Sequence, residues 1–480
     1  MKIPFQLKNL IWYQTPFIIS SLIPLITLPI FTNYLSINDY GLIALANVYG
    51  VFFVGILNLG LLLSFQRNFF EIKKPEKIIS LFWSSFFLVF MLLVLFFLIS
   101  HFFQNQISKV IFKTTFPPFF LLFSTTHLGL KSLMQYFYTY FKNYEASKKF
   151  TYLSISETLL CVLLSLYFVV IKNIGLVGYV LGQAAGISTL FIFMTFLFIY
   201  KKGVSFDKKR LTESLRLGFP LIPQVFFGVI NKQFDRYMLG LLSSLGSVGI
   251  YDISLKISNV SFSFISALEK VYSPKVYRNY FEDKEGFGKT VGKYLSPYLY
   301  LVILASFIIG MFSEELLYLL TPSDFHSAYP VIIPLVMLNC IYFYGTQPQL
   351  LLVKKTFLIS KLSFLSLILN IFLNIPMIML YGIYGASWAT FSAGLFVVLI
   401  SFYFSQILNK INYSKYDFLY TIYFLVVMLF TSLLWHYDFS YLLRLISKIF
   451  CLSIFLVMGL NNKNFKAILK NFKLLMLNKL

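Results

Sequence analysis

The sequence is short of charged residues, cysteine and histidine, and each shortage excludes a class of protein. Only 12% of the 480 residues are charged and 58% are hydrophobic, which excludes the composition of a soluble globular protein of this length. Three cysteines without paired spacing provide neither a disulfide framework nor a zinc site. Four isolated histidines form no metal-binding or catalytic pattern, and no nucleotide-binding P-loop is present. We therefore expect no metal and no cofactor.

Long apolar runs fill almost the whole chain. Each is about 20 residues long, enough to cross the roughly 30 Å of hydrocarbon in a bilayer. Residues 81–100, for example, read LFWSSFFLVFMLLVLFFLIS and are apolar on every face. The alternation typical of an outer-membrane barrel is absent. Because only helices satisfy backbone polar groups within such runs, the sequence predicts an all-α polytopic membrane protein.

Hydropathy and helix-breaking residues place about fourteen transmembrane helices in groups of six, six and two. The predicted spans cover residues 10–32, 41–66, 78–101, 116–141, 151–171, 174–200, 217–240, 249–273, 294–313, 327–350, 357–380, 382–408, 417–436 and 442–460. The predicted domains are an N-terminal lobe with helices 1–6 (residues 1–200), a cytoplasmic linker (201–216), a C-terminal lobe with helices 7–12 (217–408), and helices 13–14 with a basic cytoplasmic tail (409–480).

The net charge of +22 lies largely in short loops between the apolar runs. In a soluble protein such a charge would suggest nucleic acid, but here alternate connections concentrate Lys and Arg, as cytoplasmic loops do. The charge is therefore a topology signal, and nucleic acid is not an expected partner. The pattern predicts that both termini are cytoplasmic.

Two pairs of similar segments indicate an internal repeat. NIGLVGYVLGQAAG (173–186) resembles LYGIYGASWATFSAG (380–394) at an offset of about 207 residues. YLSINDYGLIAL (34–45) resembles LLSSLGSVGIYDI (241–253) at nearly the same offset. The matching offsets predict two related six-helix lobes, an arrangement that secondary transporters use to alternate access to a substrate site.

Polar and charged side chains in the seventh and eighth predicted spans are candidate functional residues, because charge inside a span is costly in lipid. They are Asn231, Asp235, Arg236, Asp252, Lys256 and Asn259. Asp252, Lys256 and Asn259 belong to one polar stripe by their spacing of three or four residues, and we expect that stripe to line water. A local alternative remains open, in which Asp235 and Arg236 lie at the outer interface and Asp252 neutralises Lys256.

Three further charged residues are candidates in the first lobe. Lys131 and Glu157 lie at comparable depths in the fourth and fifth predicted spans, so we expect them to pair. A structural ion pair and a substrate or proton site both remain open for them. Arg67 ends the second span on the predicted cytoplasmic side, where it would first meet a phosphate headgroup or act as an interfacial anchor.

Five segments, in order and at family-like spacing, carry a resemblance that covers nearly the whole chain. They are residues 25–46 (LITLPIFTNYLSINDYGLIALA), 219–240 (FPLIPQVFFGVINKQFDRYMLG), 248–258 (VGIYDISLKIS), 272–277 (YSPKVY) and 381–390 (YGIYGASWAT). The chain resembles the Wzx-type oligosaccharide flippases of the multidrug, oligosaccharidyl-lipid and polysaccharide exporter superfamily. This resemblance implies an exporter fold of the MATE type, with two additional C-terminal helices.

By resemblance, the expected function is to move an undecaprenyl-diphosphate-linked oligosaccharide repeat unit from the cytoplasmic to the outer leaflet of the bacterial inner membrane. The product would serve O-antigen (lipopolysaccharide), capsule or exopolysaccharide assembly. Membrane lipid is an expected partner, and a polysaccharide polymerase and glycosyltransferases are candidate partners. The alternatives are a cation-coupled multidrug exporter and a peptidoglycan-precursor flippase of the same fold. Short outer loops argue against a membrane-embedded enzyme.

The site hypothesis assigns cations to the diphosphate, whose negative charge must be neutralised in a partly dry cavity. The proposed substrate-binding cations are Arg67, Lys131, Arg236 and Lys256, and Asp235 is expected to position Arg236. The proposed supporting polar or ion-coupling residues are Glu157, Asn231, Asp235, Asp252 and Asn259.

Overall fold

The structure is a computed structural model that describes residues 5–72, 74–345, 349–353 and 355–460. These described residues are helical almost throughout and contain no β-strand. The chain divides into two compact units, Met1–Asp252 and Ile253–Leu480. The basic tail that the sequence predicts after residue 460 lies outside the described residues.

Eleven helices begin in the first unit. They are α1 (Phe5–Tyr34), α2 (Ile37–Leu57), α3 (Leu61–Glu71), α4 (Pro75–Phe102), α5 (Gln104–Phe112), α6 (Phe120–Asn143), α7 (Ser147–Leu166), α8 (Gly175–Lys202), α9 (Lys208–Gly218), α10 (Ile222–Leu242) and α11 (Leu245–Glu282). A π-helical turn, Tyr167–Ile171, follows α7, and a 3₁₀ turn, Phe219–Leu221, precedes α10. Helix α11 continues past Asp252 into the second unit.

Seven more helices follow in the second unit. They are α12 (Phe287–Met311), α13 (Ser313–Leu320), α14 (Tyr329–Gly345), α15 (Gln349–Leu352), α16 (Thr356–Leu408), α17 (Lys415–His436) and α18 (Tyr441–Leu460). A 3₁₀ turn, Ser323–Ala328, precedes α14. Helix α16 is two helical segments that meet at a bend at Gly382, where φ is 58° and ψ is −130°.

The prediction of an all-α polytopic membrane protein is confirmed. Among the described residues, each predicted span overlaps helical structure. In the part of the chain that the structure describes, nine helices are long and apolar enough to cross a membrane, and one of these, Leu358–Leu408, contains the bend at Gly382. A shorter apolar helical segment, Ile18–Tyr34, belongs to α1. The predicted division into lobes of six helices stays a prediction.

The second predicted span, residues 41–66, is not one helix but two. Helix α2 ends at Leu57 and α3 begins at Leu61, because Leu59 and Gly60 have left-handed φ values of 51° and 68°. The Asn58 side chain stabilises the break by accepting a hydrogen bond from the Leu62 amide at 3.1 Å. A side-chain cap of this kind satisfies an amide that the start of a helix leaves without a partner.

The predicted linker also differs from a simple connection, since residues 208–218 form helix α9. Asp207 caps this helix by accepting hydrogen bonds from the Lys209 and Arg210 amides at 3.0 and 3.2 Å. Helix α9 packs against α3 and α4. The linker is therefore a fixed part of the first unit.

Local conformations agree with the sequence repeat at both pairs of similar segments. Gly175 opens α8 with a φ of 64°, and Gly382, 207 residues later, bends α16 with a φ of 58°. Ser36 accepts a hydrogen bond from the Asp39 amide at the start of α2. Ser244 accepts one from the Ser247 amide at the start of α11.

The first turns of α2 and α11 cross at two glycines. A Cβ atom on Gly41 would lie 2.1 Å from the carbonyl oxygen of Leu245, and one on Gly249 would lie 2.1 Å from that of Ile37. Each residue of one contact has its counterpart in the other at an offset of 208 residues. Repeat-related positions thus face each other backbone to backbone, as close helix crossings through small residues do in membranes.

We predict that Gly249→Ala lowers the thermal stability of the detergent-solubilised protein by roughly 1–3 kcal/mol, as overpacking does elsewhere. The added methyl would meet the Ile37 carbonyl, which cannot move without shifting α2. Gly246→Ala is the matched control, because its nearest neighbour is the end of the flexible Asn38 side chain at 3.3 Å. Equal unfolding temperatures for both variants, measured by fluorescence-detected size exclusion after heating, would contradict the close crossing.

Candidate functional site

The hairpin of α10 and α11 holds two neighbouring polar pairs. The Tyr251 hydroxyl donates to Asp235 Oδ2 at 2.9 Å, and Arg236 Nε donates to Asp252 Oδ1 at 3.1 Å. We expected Asp235 to position Arg236, but Asp252 holds the guanidinium. Consecutive residues of a helix point about 100° apart, so Asp235 and Arg236 face different neighbours.

The Arg236 guanidinium makes further contacts within α10. Its Nη1 donates to Gln233 Oε1 at 2.7 Å and to the Lys232 carbonyl oxygen at 3.4 Å. The side chains of Arg236 and Asp252 are only 15% and 8% exposed. Burial makes the pair costly to separate unless another anion replaces the carboxylate.

An apolar cavity of about 390 Å³ adjoins this charged cluster, between α2 and α10. It is lined by Val48, Tyr49, Phe52, Phe53, Ile230, Gln233, Phe234 and Tyr237. Gln233 belongs to both features, because it lines the cavity and also accepts from Arg236. A charged group and a mostly aromatic cavity therefore lie side by side.

A second ionic cluster lies in the first unit between α6 and α7, and it contains the predicted pair. Lys131 Nζ lies 3.8 Å from Glu157 Oε1, and the Tyr138 hydroxyl donates to Glu157 Oε2. Glu157 is buried, whereas half of the Lys131 side chain is exposed. The lysine can therefore contact an incoming anion while the carboxylate stays covered.

The remaining candidates are distributed along α10, α11 and α3. Asn231 is half-buried one turn before Asp235. On α11, Lys256 is half-buried and Asn259 exposed, while Ile257 and Ile265 on another face of this helix are buried. Lys256 and Asn259 are therefore more exposed than that face of α11, whereas Asp252, the first residue of the predicted stripe, is buried.

Arg67 lies apart from these clusters within the first unit. Its side chain is 63% exposed, and its Nη1 lies 3.3 Å from Glu71 Oε2 one turn further along α3. The structure thus joins Arg236 to Asp252 and Lys131 to Glu157, and it leaves Arg67 in an exposed pair at the end of α3.

Sequence reasoning missed a buried ionic network in the second unit. Lys448 Nζ lies 2.6 Å from Glu314 Oε2 and 2.9 Å from Glu315 Oε1, and Arg444 Nη2 lies 2.6 Å from Glu314 Oε1. Lys448 is 1% exposed and also lies over the Tyr329 ring. The available signal was the spacing of four residues that places both cations on one face of an apolar helix.

The network also perturbs a tyrosine in α13. Burial and the nearby Glu314 carboxylate raise the pKa of Tyr318 above its ordinary value. The Tyr318 hydroxyl donates to Glu314 Oε1 at 3.4 Å. Because all these charges are paired inside the unit, we interpret the network as a structural link between α13 and α18.

Comparison with known sequences identifies a family. The model of the family described as "Polysaccharide biosynthesis protein" matches residues 6–274, more than half of the chain. A curated relative, the probable low-salt glycan biosynthesis flippase Agl15 of Haloferax volcanii, is 26% identical over 195 residues. That match covers 39% of this chain and 41% of the relative, so the alignment spans less than half of either protein.

Solved structures show the same fold. The lipid II flippase MurJ in an inward closed conformation has a TM-score of 0.72 at 17% identity, and the match covers 93% of this chain and 98% of that one. A transporter of the MOP superfamily from Pyrococcus furiosus has a TM-score of 0.57 at 12% identity, covering 83% and 95%. An outward-facing multidrug resistance MATE transporter gives 0.56 at 12% identity, covering 83% and 95%. The predicted exporter fold is confirmed.

We predict that Lys448→Met destabilises the protein by about 3–5 kcal/mol, because it leaves Glu315 without its cation and Glu314 with Arg444 alone. The exposed Lys415 at the start of α17 provides the matched control, Lys415→Met. Thermal unfolding of both purified variants tests the difference. Adding Glu315→Gln to Lys448→Met should recover part of the loss, since it removes the carboxylate that loses its cation, while Glu314 keeps Arg444. A wild-type unfolding temperature for Lys448→Met would contradict a stabilising network.

Proposed function

This chain belongs to the polysaccharide biosynthesis protein family, and from that premise we propose that it is a flippase for lipid-linked oligosaccharides. Its substrate is an undecaprenyl-diphosphate-linked repeat unit, moved from the cytoplasmic to the outer leaflet of the bacterial inner membrane by alternating access. The product supplies O-antigen, capsule or exopolysaccharide assembly. The family and the MurJ-like fold support this function.

The contact between Arg236 and Gln233 carries the proposal. It places a guanidinium beside an aromatic cavity of about 390 Å³. A prenyl diphosphate has this same combination of a strongly anionic group joined directly to an apolar chain. Guanidinium groups bind phosphate oxygens through paired hydrogen bonds, and the cavity offers the first prenyl units a surface away from water.

Four cations bind the diphosphate along its route in this proposal: Arg67, Lys131, Arg236 and Lys256. Asp252 and Glu157 hold two of these cations in position while no substrate is bound. A diphosphate carries more charge than one carboxylate and can replace it as the partner of the cation. The displaced carboxylate, Asp252 or Glu157, is then available to take up a proton or a cation. Asp235, Asn231 and Asn259 are proposed as supporting polar residues beside these cations.

A cation-coupled multidrug exporter fits the same charges less well. A cationic drug needs a carboxylate without a nearby cation. Glu157 already lies beside Lys131 and Asp252 beside Arg236, while Asp235 accepts from Tyr251. A peptidoglycan-precursor flippase shares the diphosphate carrier, so it is distinguished by experiment.

We predict that Arg236→Gln and Lys256→Gln each reduce translocation roughly tenfold or more, the effect of losing a charge-assisted hydrogen bond. Transport of a fluorescent lipid-linked oligosaccharide into reconstituted vesicles is the measurement. Lys289→Gln is the control, because Lys289 is an exposed cation at the start of α12. Unchanged transport in both site variants would reject this assignment.

The double variant Arg236→Gln with Asp252→Asn separates substrate binding from folding. It removes both charges of the buried pair, so no unpaired carboxylate remains. We expect normal membrane insertion and thermal stability with transport still lost. Recovery of transport together with stability would mean that the pair is only structural.

In cells that lack this protein, we predict that a lipid-linked repeat unit accumulates in the cytoplasmic leaflet and surface polysaccharide disappears. Leaflet-specific labelling of the intermediate is the measurement. Accumulation of the peptidoglycan precursor instead would favour the alternative flippase. Normal appearance of both lipids in the outer leaflet, with increased sensitivity to cationic drugs, would favour the exporter.

A further inference from the structure

A second cavity, of about 460 Å³, lies in the first unit between α3, α4 and α9. Four cations, Arg67, Lys74, Lys77 and Arg210, line it together with Glu71 and Glu213. Its lining therefore carries two more positive than negative charges. Of these residues, the proposed transport route uses only Arg67.

The wall that α9 contributes is fixed at several points. The Asn68 side chain donates to Ser214 Oγ at 3.4 Å, which joins α3 to α9. Before α9, Trp83 Nε1 donates to the Gly203 carbonyl at 2.8 Å, and the Asp207 amide donates to Ser84 Oγ at 2.8 Å. The cavity is thus a built feature of the fold, with its cations held on three helices.

The four cations are not equally neutralised. Arg67 lies 3.3 Å from Glu71, and Arg210 Nε lies 3.3 Å from Asp207 Oδ2. Among the described residues, no carboxylate lies within ion-pair distance of Lys74 or Lys77. Both lysines lie at the beginning of α4, a helix of 28 residues. The positive end of its dipole is at this N-terminus, beside the two lysines.

We propose that this cavity binds the phosphoanionic headgroup of a membrane lipid on the side predicted to be cytoplasmic. Two exposed lysines and a helix N-terminus offer an anion a net positive, water-accessible surface. If the proposed function holds, the ligand is the diphosphate of the lipid-linked oligosaccharide, captured here before it reaches Arg236. The other source of the same chemistry is an anionic phospholipid such as phosphatidylglycerol.

The test uses the purified full-length chain in nanodiscs of zwitterionic lipid and three probes. Inorganic pyrophosphate reports the headgroup alone, farnesyl diphosphate adds a prenyl chain, and phosphatidylglycerol represents the phospholipid source. Lys74→Gln with Lys77→Gln should weaken binding of the preferred probe about tenfold, since two charge-assisted contacts are lost. The control, Lys142→Gln with Lys149→Gln, removes the same charge from exposed positions outside the cavity and should change binding less than twofold.

Tighter binding of farnesyl diphosphate than of phosphatidylglycerol, lost in the cavity variant, supports capture of the diphosphate. The reverse preference with the same loss supports a phospholipid site. Absence of saturable binding by all three probes, or equal weakening in cavity and control variants, overturns the proposal. A chain that binds at this cavity but never transports lipid-linked oligosaccharide overturns the proposed function alone.

Discussion

The free energy needed to remove a charge from water governs this molecule. An isolated ion in a low-dielectric interior is so unfavourable that a cation within a span must have a partner. Arg236 with Asp252 and Lys448 with Glu314 meet this requirement at contacts of 3.1 and 2.6 Å. The same requirement has two outcomes. Lys448 is enclosed and serves stability, whereas Arg236 lies beside a cavity where, in the proposed function, the diphosphate replaces its carboxylate.

A second consequence of the dry environment is that the backbone must remain helical wherever it can. Interruptions occur where a residue takes a left-handed φ or a side chain replaces the missing hydrogen bond. Gly60 and Asn58 together divide the second predicted span in this way. Gly175 and Gly382 interrupt the chain at repeat-related positions. The breaks at Gly175 and Gly382 therefore follow the sequence repeat, whereas the break at Gly60 has no counterpart in the continuous helix α11.

Spans were predictable because an apolar run is a local property, and hydropathy identifies it without knowledge of its neighbours.

The ion-pair partners of charged residues were less predictable. Lys131 and Glu157 lie on two consecutive helices between which the chain reverses direction. Their similar predicted depths in the membrane were therefore enough to pair them. Arg236 lies next to Asp235 in sequence but binds Asp252, because helix geometry turns consecutive side chains apart. The network of Lys448 joins residues about 130 positions apart, which no local pattern connects. Helix α9 was not predicted, because its sequence is polar and a single hydrogen bond such as that from Asn68 to Ser214 leaves no pattern in the sequence.

The two proposed cationic sites differ in the solvent exposure of their side chains, and one anionic substrate would therefore bind them differently. Where water remains, attraction between charges is screened and weak, and an anion can bind and leave quickly. The exposed lysines beside α9 suit this first contact. At Arg236, where only 15% of the side chain is exposed, the attraction is stronger, but binding must also displace Asp252. A headgroup that moved from the lysines to Arg236 would thus exchange a weak contact in water for a stronger one. The carboxylate of Asp252, released from Arg236, would then be the charge left to neutralise. That released charge is the physical basis on which uptake of a proton or cation could be coupled to passage of the lipid.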